Sequence, residues 1–135
     1  MSAKTSTELA QRWQAQEVRK TADSYASIAL TTQCPEYYYE NAAWRYGRAA
    51  FYYEREAAQW EALSEKEVVQ ANKNALLMYQ TQALIADMIK DWSMSQNAYE
   101  LAEILCNILG NPSGAKAMHS KAEASEKKKL LRTEA

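Results

Sequence analysis

One histidine, two cysteines and seventeen carboxylates are the groups this chain brings to chemistry. The histidine, His119, has Gly114 and Ala115 before it, so the Glu-x-x-His pairs of a di-iron bundle cannot be built. Cys34 and Cys106 lie far apart and share no CxxC spacing. Two reduced thiols are expected, with a single disulfide as the alternative. Two thiols and one imidazole are also a poor zinc set. No GxxxxGK[ST], GxGxxG, GxSxG or HExxH is present. Glu54, Glu56, Glu61, Asp87 and Asp91 are acids that could meet across a helical core. A catalytic pair among them would need burial to shift a pKa, and solvated charge is the expectation. The sequence therefore predicts no enzyme, no cofactor and no metal site, and a histidine at the surface.

Recognition is the chemistry that remains. Arg45, Arg48 and Arg55 share one helical stretch with Trp44, Phe51 and Tyr52. Three and four residues away from each arginine, in both directions, no carboxylate occurs. The arginines thus lack an intrahelical ion pair. Arginine and aromatic rings are enriched at protein-interface hot spots, where they bury large area. They also grip phosphates and stack on unpaired bases. The expected contact surface is Trp44, Arg45, Arg48, Phe51, Tyr52 and Arg55. The expected partner is another protein or a second copy of the chain. The alternative is nucleic acid, held by the same arginines and by Lys127 to Lys129. Against both stands a third arrangement, in which the rings are core and the arginines pair with acids of the flanking helices.

The element that must position these residues is the richest in the chain. Tyr39, Ala43, Tyr46, Ala50, Tyr53, Ala57 and Trp60 alternate at spacings of four and three, which puts them on one helix face. Small residues there admit close approach of a neighbour, and the rings fill the gaps. Tyr37, Trp44, Phe51 and Ala58 form a second apolar line on another face. Of the consecutive Tyr37, Tyr38 and Tyr39, at most two can be buried against one neighbour.

The other elements follow from punctuation and period. Thr5 with Glu8 reads as a capping box opening a first helix, with Leu9, Trp13, Val18, Ala22, Tyr25, Ile28 and Ala29 as its stripe. Pro35 opens a second helix, expected to reach Leu63. Ser64 with Glu67 opens a third, expected to reach Trp92. No charge occurs from Asn74 to Ala86, so protein should surround much of it. Ser93 with Gln96 signals a fourth helix, expected over about Gln96 to Leu109. Gly110-Asn111-Pro112 supplies a left-handed stop, a cap and a first helical residue for a fifth, to Leu131.

Scarce glycine and proline argue for long helices and few loops. The 135 residues are read as one domain, with residues 1–4 and 132–135 frayed. The predicted fold is all-α: an antiparallel up-down bundle of about five helices, three long and the fourth broken at Gly110-Pro112. A net charge of −1 gives no global pull toward nucleic acid or membrane. No run is long and apolar enough to span a bilayer, and Met1 to Thr5 opens no secretory signal. A soluble, cytoplasmic protein is expected.

The segment from Tyr99 to Ala122 resembles one tetratricopeptide repeat. Ala102, Gly110, Ala115 and Ala122 stand where that repeat wants small residues. Tyr99 replaces its tryptophan and Glu103 its glycine, and no period near ~34 residues recurs upstream. Helical hairpins of that kind are the alternative fold.

Overall fold

The structure is a computed structural model. It describes residues 6–59, 61 and 63–134, with side chains from residue 10 to residue 132. Five α-helices follow one another: α1 (Ser6–Ala29), α2 (Glu36–Ala57), α3 (Glu65–Met88), α4 (Trp92–Ile108) and α5 (Pro112–Glu134). The all-α, up-down reading holds. The Thr5 cap and Trp60 fall outside the described residues.

Among the described residues, substantial packing joins sequence neighbours: α1 to α2, α2 to α3, α3 to α4 and α4 to α5. Each pair is antiparallel. Arg12 of α1 meets Glu56, and Asp23 further on meets Tyr46. In the last pair, Tyr99 lies under Lys121, and Ser95 meets Ser125. The break at Gly110-Pro112 is therefore a reversal, and α5 returns along α4. Arg12 also reaches Glu67 of α3, and Gln80 of α3 reaches Met118 of α5. The row folds into two layers, α1, α3 and α5 in one and α2 and α4 in the other.

Alanine sets how closely the helices approach. Ala15, Ala22 and Ala29 recur every seven residues on α1 and are 0%, 0% and 4% exposed. Ala43, Ala50 and Ala57 repeat that seam on α2, and Ala115 and Ala122 on α5. Backbones meet along such seams because no bulk holds them apart. The first α2 line is buried as expected at Ala43, Tyr46, Ala50, Tyr53 and Ala57, while Tyr39 is half-buried. On α1 the expected stripe is corrected: Trp13 and Ile28 are exposed, because the alanine seam already faces α2.

Of the four buried tyrosines among the described residues, three find a carboxylate on the preceding helix. Tyr46 donates to Asp23 of α1. Tyr79 bonds Glu54 of α2. Tyr99 donates to Asp87 Oδ2 of α3 at 2.7 Å. Burial, then the adjoining carboxylate, pushes the hydroxyl pKa of Tyr46 and Tyr99 above the ordinary range, and burial does the same for Tyr79.

Several helix ends differ from expectation. Helix α2 stops at Ala57 rather than Leu63, its last turn tightened by a Gln59 amide bond to the Glu56 carbonyl. The Ser64/Glu67 capping box is present and opens α3. Helix α3 stops at Met88 rather than Trp92, because Lys90 takes a left-handed φ of 61°. The Asp91 amide then bonds the Ala86 carbonyl, and the Lys90 amide the Asp87 carbonyl, a Schellman stop. Asp91 itself caps α4 by accepting from Met94 N, so Asp91 and not Ser93 starts that helix. The α4–α5 junction repeats the design with Gly110 at φ 72° and Asn111 accepting from Gly114 N. Helix α5 continues past Leu131 to Glu134.

Candidate functional site

The exposed line of α2 lies along a groove. Helices α2 and α4 both oppose α3, so they run parallel to each other with α3 as the floor. One cleft, about 370 Å³, is lined by Trp44, Gly47, Arg48 and Phe51 of α2, Tyr79 and Gln82 of α3, and Asn97 of α4. A second, about 310 Å³, continues along the same two helices. Its walls include Glu54, Ala57 and Ala58 on one side and Leu101, Ile104 and Ile108 on the other. Gly47 lets the Gln82 carboxamide settle on the α2 backbone, since an added Cβ would stand 2.4 Å from Gln82 Nε2.

Trp44 and Phe51, lining the first cleft, are each 51% exposed, and Ile104 and Ile108, lining the second, are 55% and 61% exposed. Burying one such side chain is worth roughly 1.5–3 kcal/mol, and here that gain is left unrealised within one chain. The sequence reading omitted Ile104 and did not place Ile108 on this surface. Their spacing of four, off the Ala98–Ala102–Leu105 face, is the signal that could have found them.

The arginines divide in two. Arg48 and Arg55 are exposed beside Trp44 and Phe51; Arg48 lies 5.1 Å from the Trp44 ring centroid and Arg55 5.7 Å from that of Phe51. Arg48 also donates to the Tyr52 hydroxyl at 3.0 Å. Arg45 lies between two rings, 4.4 Å from that of Tyr25 of α1 and 5.6 Å from that of Trp44, and donates to Asn41 Oδ1. Tyr52 is half-buried against the core. Among the described residues none of the three arginines forms an ion pair. The arrangement with arginines matched to acids of flanking helices is not the one observed.

The acids named from the sequence do not form one cluster. Glu56 is 4% exposed and receives Arg12 Nε at 2.6 Å. Glu54 bonds Tyr79, and its burial pushes its pKa upward. Asp87 takes Ser95 and Tyr99, while Asp91 caps α4. His119 is exposed between Glu103 at 3.1 Å and Glu123 at 2.7 Å, and both raise its pKa, chiefly through the Glu103 hydrogen bond. Both cysteines are free thiols, Cys34 exposed and Cys106 buried. No group of histidine, cysteine and carboxylates suited to a metal occurs among the described residues. No described helix is long and apolar enough to cross a membrane.

Lys127 to Lys129 stand elsewhere. Lys129 lines a cleft of about 600 Å³ with Glu36, Glu40, Lys90, Asp91 and Arg132, where acids and bases alternate. Lys128 lies over the Trp92 ring at 4.6 Å. Glu36 and Arg55 are separated by roughly 28 Å of helix at 1.5 Å per residue, so these lysines do not extend the arginine line. Compared with protein-family models, with curated proteins and with solved structures, the chain finds no match.

Proposed function

We propose that the chain is a non-enzymatic docking module that binds another protein, or a further copy of itself, through the exposed face of α2. The observation that carries this reading is the pair of half-exposed rings, Trp44 and Phe51, flanked by arginines without acid partners among the described residues. Rings supply area that a partner desolvates, and guanidinium groups supply directional hydrogen bonds. Arg45 and Tyr52 support the edge of the patch nearer α1.

A photo-crosslinking residue in place of Phe51 tests this. In the native extract and in the pure protein it should give a discrete adduct, and the same group in place of exposed Lys116 on α5 should give none. Phe51→Ala with Tyr52→Ala should lower the yield from a crosslinker placed at Trp44 while helix content stays intact. Loss of the fold in that double variant, or no adduct in either sample, sinks the proposal. Nucleic acid as the partner requires an adduct with strand and steep weakening as salt rises.

A further inference from the structure

We infer that the groove between α2 and α4 takes an acidic amphipathic helix of a partner protein; this rests on the docking reading and names its partner. The groove follows α2 from Trp44 to Ala58, about 21 Å at 1.5 Å per residue, or four helical turns. Its apolar contacts are Trp44 and Phe51 on the α2 wall of the first cleft, and Ile104 and Ile108 on the α4 wall of the second.

Charge selects the occupant. Arg48 lines the α2 wall and Arg55 stands beside Phe51 at its rim, and neither pairs with a described carboxylate. They sit seven residues apart, about 10.5 Å along the axis. A helix lying alongside matches them with two acids at i and i+7. Glu54, which also lines the groove, is bound to Tyr79 and forms no ion pair with either arginine among the described residues. The α4 wall offers Asn97, Leu101, Ile104 and Ile108, none of them charged. The complement is one acidic flank beside one apolar stripe.

Hydrogen bonding bears on the backbone of the occupant. An added strand needs a sheet edge to satisfy its amides, and no strand occurs among the described residues. A helix satisfies its own and presents side chains alone. Nucleic acid fits poorly, because two cations two turns apart hold few phosphates.

The probe is a synthetic helical peptide of about 18 residues with leucines on one face and two glutamates seven apart beside that face. Its counterpart carries lysine at those two positions. Binding of each, fluorescein-labelled, to the full chain is followed by anisotropy. The acidic peptide should bind at least tenfold more tightly than the lysine peptide. Arg48→Glu with Arg55→Glu should reverse that order, and Ile104→Glu should weaken both peptides. Equal binding of the two peptides, binding of neither, or a preference untouched by charge reversal overturns the inference. So does a homodimer in sedimentation that Ile104→Glu dissociates, because a second copy then fills the groove. If the crosslink at Trp44 still depends on Phe51 and Tyr52 while the peptides show no preference, the docking reading survives and the acidic helix falls.

Discussion

A buried charge is costly unless a partner meets it, and Arg12 is where this chain manages that cost. Its guanidinium reaches Glu56 and Glu67, tying α1 to α2 and α3 at once. The two ends are unequally buried: the Glu56 side chain is 5% exposed and that of Arg12 32%. Removing the arginine leaves the acid sealed in, whereas removing the acid leaves a cation that water reaches. Arg12→Met should therefore cost about 2–3 kcal/mol and Glu56→Gln about 1 kcal/mol, read by denaturant midpoints. Equal losses would contradict the asymmetry. His119 gives a second test. Its protonated form is held by Glu103 and Glu123, which lift its pKa above the ordinary 6.5. A raised folded-state pKa stabilises the protein fully below the unfolded value and ceases to do so as pH rises through the folded one. The stability gap between the wild type and His119→Ala should be open below about pH 6.5 and closed in mild alkali.

At the scale of elements, two junctions share one turn but not one residue. Gly110 meets its left-handed φ without strain, while Lys90 adopts the same region against its Cβ. Lys90→Gly should stabilise by about 0.5–1 kcal/mol, and Gly110→Ala should destabilise by about 1 kcal/mol, both read from thermal midpoints. The contrast explains what could be read in advance. Gly110-Asn111-Pro112 announced its junction because each residue has a backbone reason to be there. The Lys90 turn was hidden, since lysine is a good helix former and nothing in its type foretells a positive φ. The helix-two faces were legible from period alone, which separates Tyr46 and Tyr53 from Trp44 and Phe51. The opposing wall was not, because the position of α4 across α3 depends on packing between distant segments. Arg45 illustrates the same limit: its spacing matches that of its neighbours, yet the Tyr25 ring of α1 draws it aside.

For the whole molecule the arrangement matters more than any single contact. Each helix packs chiefly on the helix before and the helix after, so stability is shared locally along the row. Opening then begins where a helix has one strong neighbour, at α1 and at α5. The acid-to-tyrosine pairs at three successive junctions help keep each helix in register with the next, because a shifted ring would leave its hydroxyl unbonded. The chain also carries its own gauge of such opening. Cys34 is exposed and should react with a thiol reagent at once, whereas Cys106, 1% exposed within the core shared with Ala115 and Met118, should wait for α5 to lift. The ratio of the two modification rates then reports the free energy of that partial detachment, and a variant weakened only at α1 should leave the slow rate untouched.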